Sequence, residues 1–179
     1  MKDAIEKEYK VIVTKEEFYR LANFYKPLKF VKQTNYYYEC KDSSHYGFRI
    51  REKENEKLFT LKEYAAGEVR EYEKILTEPL EKDQEITSLL AQKNIFQPYK
   101  VFGELTTYRA VYFDGYGELC FDINFYNNTM DYEIEYEQIK EHQHFAEFFR
   151  ILSQANIEYV PSFASKYKRC LISMKEERK

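Results

Sequence analysis

The residues that can do chemistry first appear at alternate positions: Glu6, Glu8 and Lys10 in "AIEKEYKVIV", residues 4 to 13. In an extended strand, residues two apart share a face, so these three form one charged row backed by Ile5, Tyr9, Val11 and Val13. The pattern recurs down the chain. Arg49 and Arg51 share a face in "GFRIRE", Thr60 and Lys62 in "FTLKEY", Glu71 and Glu73 in "REYEK", and Glu133 and Glu135 in "DYEIEYE". Arg109 and Asp122 stand singly in "TYRAVY" and "CFDINF". Like charges so spaced lie roughly 6 to 7 Å apart and repel, so a chain retains them most readily where an opposite charge sits between them. Converging carboxylates are hard oxygen ligands suited to Mg²⁺ or Mn²⁺. Paired arginines suit an anion with several oxygens, gripped in bidentate fashion. Together the rows describe a site for a divalent metal and a phosphate chain. The candidate cations Lys10, Arg49, Arg51, Lys62, Arg109 and Lys166 nearly balance the candidate carboxylates Glu6, Glu8, Glu71, Glu73, Asp122, Glu133 and Glu135. Metal plus triphosphate would leave that lining close to neutral again, which limits the desolvation cost. The plainer reading is a solvated sheet face, on which cross-strand ion pairs contribute little.

These rows need strands to hold them. After the opening strand, Thr14 with Glu17 three residues later has the form of a capping box, and a helix follows with Phe18, Leu21, Ala22, Phe24 and Tyr25 at helical spacing up to Pro27. From Phe30 to Leu76 the period is two. "VKQTNYYYEC", "HYGFRIRE", "KLFTLKEY" and "VREYEKIL" predict four strands, and "EKDQEITSLLAQKN" a short helix. "VFGELTTYRAVYF", "GELCFDINFY" and "DYEIEYEQI" predict three more strands, joined by the turn sequences "DGYG" and "NNT". A third helix is expected in "EHQHFAEFFRILSQA", with Phe145, Phe148, Phe149 and Leu152 as its apolar stripe. A last helix is expected from Pro161 and Ser162 onward, with a fraying polar tail. About eight strands with interposed helices make an α+β chain with an antiparallel sheet, whose closure on itself periodicity alone does not decide, in one domain spanning 1–179.

Composition narrows the function classes. A chain of 179 residues with 44% hydrophobic content, 18 Tyr, 14 Phe and few Gly or Pro is folded and strand-rich. Its net charge of -3 offers no global field to recruit nucleic acid or an anionic membrane. The first residues are charged and no apolar run approaches ~18 residues, so neither a signal peptide nor a membrane span is expected. Cys40, Cys120 and Cys170 lack metal-ligand spacing and fit reduced thiols, hence a cytoplasmic location. His142 and His144, two apart on a predicted helix, diverge and suit a solvated face, while His45 reads as a turn residue. The rings of "NYYYEC" are expected to alternate inside and outside the sheet rather than to stack on a base. No phosphate-binding loop, nucleophile elbow or dinucleotide glycine fingerprint occurs.

Glu6-x-Glu8-x-Lys10 resembles the E-x-E-x-K signature of the CYTH superfamily, the triphosphate tunnel metalloenzymes. The resemblance continues in order through "QTNYYYEC", the R-x-R of Arg49 and Arg51, "FTLK" ending at Lys62, "REYE", Arg109, Asp122, the E-x-E of Glu133 and Glu135, and "SKYKR" from Ser165 to Arg169. It covers nearly the whole chain and is closest to the compact, single-domain, YjbK-like bacterial branch. It implies a closed antiparallel eight-stranded β-barrel with a polar tunnel and helices outside. It also implies hydrolysis of a small-molecule triphosphate with Mg²⁺ or Mn²⁺, by a monomer or homodimer. By the same resemblance, Glu6, Glu8, Asp122, Glu133 and Glu135 would hold metal. Lys10, Arg49, Arg51, Lys62, Arg109, Lys166 and Arg169 would hold the triphosphate. Glu6, Glu8, Lys10 and Glu73 are the expected catalytic residues, Glu73 and its neighbour Glu71 orienting water or pairing with the arginines.

Two positions depart from the family pattern: Glu39 stands where relatives often carry Asp, and Thr107 where many carry another basic residue. The second removes a candidate phosphate contact. Inorganic tripolyphosphate is the first expectation, because no base or thiazole pocket is evident in the sequence. Adenylate cyclase or thiamine triphosphatase activity in the same tunnel is the alternative within the fold, and a non-catalytic polyphosphate or nucleotide sensor is the alternative outside enzymology. The paired glutamates argue against the sensor, since a pure anion binder has little need of them.

Overall fold

The computed structural model describes residues 1–65, 67–162 and 164–176, the last residue through its backbone alone. Its elements in chain order are β1 (Lys2–Glu6), β2 (Glu8–Val13), α1 (Lys15–Ala22), β3 (Val31–Tyr38), β4 (Tyr46–Lys53), β5 (Glu56–Ala65), β6 (Glu68–Ile75), α2 (Gln84–Gln92), β7 (Val101–Phe113), β8 (Gly117–Tyr126), β9 (Thr129–Gln138), α3 (His144–Ser153) and α4 (Lys166–Glu176). The strands form one nine-stranded antiparallel sheet in the order β1-β6-β5-β4-β3-β7-β8-β9-β2. Eight strands were expected. The ninth arises because the opening segment breaks at Lys7: Glu6 pairs opposite Val69 on β6, and Glu8 opposite Glu137 on β9. The architecture is thus a curled sheet, a half-barrel whose two edge strands are consecutive in the chain, in place of the expected closed eight-stranded barrel.

Alternation along each strand puts apolar side chains on the outer face, where helices cover them. Under α1 and α3, Phe18, Leu21, Phe148 and Leu152 meet Val11, Phe121 and Ile134, all buried. Under α2, Ile86 and Leu90 meet Phe48, Phe59 and Leu61. Each such side chain contributes about 1.5–3 kcal/mol when fully buried, so these two seams dominate the favourable packing. Of the opening strand's outer row, Tyr9, Val11 and Val13 join the first seam, but Ile5 on β1 is 46% exposed.

Local signals set where the helices begin. The Thr14–Glu17 capping box forms: Glu17 N–H donates to Thr14 Oγ1 at 3.2 Å and Thr14 N–H to Glu17 Oε2 at 2.8 Å. Asp83 caps α2 by accepting from Ile86 N–H at 3.2 Å. α3 buries His144, Phe148, Ile151 and Leu152, so Phe145 and Phe149 of the expected stripe face outward. α4 starts at Lys166 rather than near Pro161, and Ser165 Oγ accepts from Lys168 N–H at 3.2 Å. The polar tail beyond 176 lies outside the described residues.

α4 reaches the sheet at two glycines. A Cβ on Gly103 of β7 would lie 2.7 Å from Cys170 Sγ, and one on Gly47 of β4 would lie 3.3 Å from the Tyr167 ring. The missing side chains let α4 approach closely and carry Lys166 to the concave face. Among the described residues, no helix is long and apolar enough to cross a membrane.

Candidate active site

The concave face of the sheet encloses a cavity of about 460 Å³. Glu6, Glu8 and Lys10 enter from β1 and β2, Arg49 and Arg51 from β4, and Lys62 from β5. Glu71 and Glu73 enter from β6, Arg109 from β7, Glu135 from β9 and Lys166 from the first turn of α4. The alternate-residue reading therefore places these side chains on one wall system. Asp122, Glu133 and Arg169 are not on the cavity wall. Asp122 and Glu133 are fully buried behind it, and Arg169 closes over Glu133 at 2.9 Å and Asp131 at 3.1 Å.

Opposite charges are matched within the site. Lys10 Nζ lies 2.5 Å from Glu8, and Lys62 Nζ lies 2.5 Å from Glu6 and 3.6 Å from Glu71. Arg109 grips Asp122 in bidentate fashion, Nε to Oδ1 at 2.7 Å and Nη2 to Oδ2 at 2.6 Å, and also donates to Glu135. Lys166 Nζ sits among three carboxylates, 2.9 Å from Asp122 and 2.5 Å from both Glu133 and Glu135. Burial works against the charge on Glu135, but Lys166, Arg109 and Lys10 outweigh it and hold its carboxyl well below the usual range. For Asp122 burial is likewise overcome, by Arg109 and Lys166. Lys166 itself is held well above the ordinary lysine value, its burial outweighed by Asp122, Glu133 and Glu135.

Two regions are left unbalanced. Arg51 donates from Nε to Asn35 Oδ1 at 3.0 Å, and among the described residues it has no carboxylate partner within ion-pair distance. Burial, then the neighbouring Arg49 and Arg109 charges, push its guanidinium down to about 9. Arg49 comes only to 4.0 Å of Glu71. Its Nε and the hydroxyl of Tyr37, which is 2% exposed, are buried without hydrogen-bond partners among the described residues. Such orphaned groups cost free energy unless something absent satisfies them, and an anion with several oxygens fits all three side chains. The opposite imbalance lies around Glu137, whose carboxyl is pushed up to about 7 by burial and then by Glu6, Glu8, Glu71 and Glu118.

Glu118, Glu137 and Tyr37 were not singled out in the sequence. Glu137 continues the alternate row of Glu133 and Glu135, a signal that was present. Glu118 likewise shares the alternate row of Asp122 on β8, and strand register sets it opposite Glu137. Tyr37 was read as packing, and it does pack against Phe102 and Tyr167, but it also lines the cavity. Tyr36 and Tyr38 face outward, as the alternation predicts, Tyr38 stacking on Phe48 with centroids 4.5 Å apart.

The donor set fits a hard divalent cation. Ligand oxygens of Asp122, Glu133 and Glu135 lie within 4.8 Å of one another, and all three residues are buried. Where another basic residue was expected, Thr107 is buried and donates to Asn124 Oδ1 at 2.7 Å, and Asn124 in turn donates to Asp131 at 2.8 Å. Glu39 lies away from the site, at a second cavity bounded by α4. The histidines stay outside too. His142 precedes α3 with Nε2 3.1 Å from the Tyr136 hydroxyl, and His144 is buried rather than solvated, with Nε2 2.7 Å from Tyr136 O. All three cysteines are free.

The family model for the CYTH domain matches residues 4–170. The chain is 30% identical over 174 residues to "Putative triphosphatase YjbK" of Bacillus subtilis (strain 168), covering 88% of this chain and 90% of that protein. A crystal structure from Bacillus halodurans, described as a putative adenylate cyclase, has a TM-score of 0.83 at 32% identity, covering 94% of this chain and 98% of that one. A Hippeastrum protein described as a putative adenylyl cyclase with a dominant triphosphatase activity shares the fold, with a TM-score of 0.71 at 21% identity, covering 94% and 96%. An ordered charge pattern, a concave site that gathers most of it, and these similarities converge: the chain belongs to the CYTH domain family.

Proposed function

We propose that this protein is a divalent-metal-dependent triphosphatase, working as one domain on a small triphosphate, most directly inorganic tripolyphosphate, within a tunnel bounded by the curled sheet. The observation that carries this reading is the pairing of carboxylates and cations in one cavity, with Arg49, Arg51 and Tyr37 left short of acceptors. The unmet donors call for a polyanion, and the carboxylates for a cation that travels with it. Similarity to a protein named as a triphosphatase supports the same reaction class, and free cysteines fit a reducing cytoplasmic setting.

Glu6, Glu8, Asp122, Glu133 and Glu135 would hold Mg²⁺ or Mn²⁺. The chemistry such an ion supplies when bound is charge neutralisation at phosphoryl oxygens and activation of water. The chain's own side chains do the rest. Arg49 and Arg51 clamp the phosphate chain in bidentate fashion, and Lys10, Lys62, Arg109 and Lys166 neutralise charge on its bridging and terminal oxygens as the bond breaks. Tyr37 donates its free hydroxyl to the same chain. Glu73, 3.5 Å from the Thr60 hydroxyl and 3.7 Å from Lys2, is placed to orient water at the wall. Arg169 acts from behind, by holding Glu133.

Phosphate release from tripolyphosphate, thiamine triphosphate and ATP, with Mg²⁺ or Mn²⁺, tests the proposal on wild type, Glu8→Gln and Arg51→Ala. Loss of one pre-placed charge at such a site costs about 10²–10³-fold in rate. Equal rates in the three proteins would sink the assignment. Cyclic nucleotide formed from ATP would move the reading to a cyclase, and tight anion binding without turnover to a sensor.

A further inference from the structure

Each of the five carboxylates assigned above to metal is occupied by a cation assigned to phosphate. Glu8 holds Lys10, Glu6 holds Lys62, Asp122 holds Arg109 and Lys166, Glu133 holds Lys166 and Arg169, and Glu135 holds Lys166 and Arg109. We propose that Lys166 is a resident cation in the metal triad: a divalent ion displaces its ammonium from Asp122, Glu133 and Glu135, and the freed side chain swings into the cavity to take the triphosphate. The inference rests on the metal-dependent reading and adds the coupling between the two ligands.

Charge balance favours the exchange. The buried triad and the neighbouring Asp131 carry four negative charges and are met by Lys166, Arg109 and Arg169. A divalent ion added while all three cations stayed would leave one uncompensated positive charge at low local dielectric, and departure of Lys166 removes it. Of the three, Lys166 is built to leave. Arg109 is fixed through two parallel bonds to Asp122, and Arg169 also bonds to Asp131 and to the Ala164 carbonyl. Lys166 is a point charge on a flexible four-carbon stem, needs no particular donor geometry, and already borders the cavity from the first turn of α4. Its arrival beside Arg49 and Arg51 raises the positive charge facing the anion. By linkage, whatever factor metal adds to triphosphate affinity, triphosphate adds to metal affinity. The protein would then take up metal and triphosphate as a pair, and metal alone would bind against its own lysine.

Mn²⁺ alone is the probe. Free-ion titration by electron paramagnetic resonance, without phosphate, is made on wild type, Lys166→Met and Lys166→Arg, with circular dichroism melts to establish folding. Removing the resident charge should tighten Mn²⁺ binding at least tenfold in Lys166→Met, while Lys166→Arg keeps weak binding. Structural damage would produce no such gain. In wild type, hydrogen exchange of the α4 amides should quicken severalfold at saturating Mn²⁺ and slow again when tripolyphosphate is added. Mn²⁺ affinity in Lys166→Met equal to or below wild type overturns the exchange. If that variant does not fold, unchanged α4 exchange in Mn²⁺-saturated wild type overturns it equally. Wild-type turnover of tripolyphosphate with Mn²⁺ alongside either negative result leaves the triphosphatase reading standing. Failure of every protein to bind Mn²⁺, with or without tripolyphosphate, removes both.

Discussion

Replacing Gly103 by Ala tests how the seating of α4 governs the site. The new Cβ would stand 2.7 Å from Cys170 Sγ, against an ordinary contact distance of about 3.5–4.0 Å, so roughly 1 Å must be found. Cys170 is fully buried, and the helix, rather than the sulfur alone, is expected to absorb the displacement. Overpacking of this kind costs about 1–3 kcal/mol. Without the clash, the same change would stabilise a strand glycine of negative φ by about 0.4–1 kcal/mol through the unfolded chain, so even the sign of the effect reports the contact. Lys166 lies one turn before Cys170 on α4 and moves with it, and if it meets the substrate as proposed, a misplacement of about 1 Å costs up to ~10²-fold in rate. The decisive arm is Gly103→Ala with Cys170→Ala, which removes the opposing sulfur. Urea unfolding should show the pair less destabilised than the sum of the single changes by about 1–2 kcal/mol, with phosphate release restored to within a few-fold of wild type. Additive destabilisation, or a double variant as inactive as Gly103→Ala, would refute the idea that this contact sets the position of Lys166.

Two further outcomes follow from the charge arrangement. Asp122→Ala strips a fully buried carboxylate from Arg109 and Lys166 and should cost about 3–5 kcal/mol. Asp3→Ala breaks an equally bidentate but exposed pair with Arg70 and should leave the urea midpoint nearly unchanged, because solvent screens it. Equal urea midpoints for the two variants would refute the distinction. The third prediction concerns pH. Native Glu137 keeps its proton up to about 7, whereas the unfolded chain releases it near the ordinary glutamate value of about 4.3. The stability this contributes is fully present below the unfolded value and is lost as pH rises through the native one, because the native state binds the proton more tightly. Allowing for screening by the open cavity, the loss between pH 5 and 8 is about 1–2 kcal/mol in chelator. Glu137→Gln should show a correspondingly smaller decline in urea midpoint over that interval, and parallel profiles would count against the carboxylate cluster.

The sequence was most legible where a period of two decides the outcome. Every wall residue read from strand alternation, from Glu6 to Glu135, lands on the concave face, since only a one-residue slip could have turned it outward. Depth was not legible. Asp122 and Glu133 share the face of Glu135, yet they vanish behind Lys166 and Arg169, because where α4 lies depends on Gly47, Gly103 and a cap at Ser165 rather than on any strand pattern. Register was not legible either: Glu118, Glu137 and Glu8 become neighbours only through strand pairings between residues far apart in sequence. In α3 the apolar count misled, because His144 passes for a surface residue until its ring meets Tyr9 and its Nε2 finds the Tyr136 carbonyl. The break at Lys7 left no mark in composition. It shows only in the pairing of β1 with β6 and of β2 with β9.

The same chain shows what it builds when stability alone is at stake. Over β4 and β5, α2 meets the sheet with Ile86 and Leu90 on Phe48, Phe59 and Leu61, all apolar. On the opposite surface of those two strands stand Arg49, Arg51 and Lys62, and at the far wall Glu135, with Asp122 and Glu133 behind it, is buried with its cations. Replacing a buried ion network by packed apolar side chains of similar volume is often neutral or stabilising by about 1–4 kcal/mol, so stability does not account for the choice. Nor does specificity of strand pairing, which the outer apolar rows already impose. What the arrangement does supply is a set of charges held at low solvent access, matched to one another and separable by ligands of both signs. That property has no use in a scaffold and a direct one in the proposed site for a polyphosphate and its metal, which is the ground for including the buried pairs in the proposal even where, as at Asp122 and Glu133, they do not line the cavity.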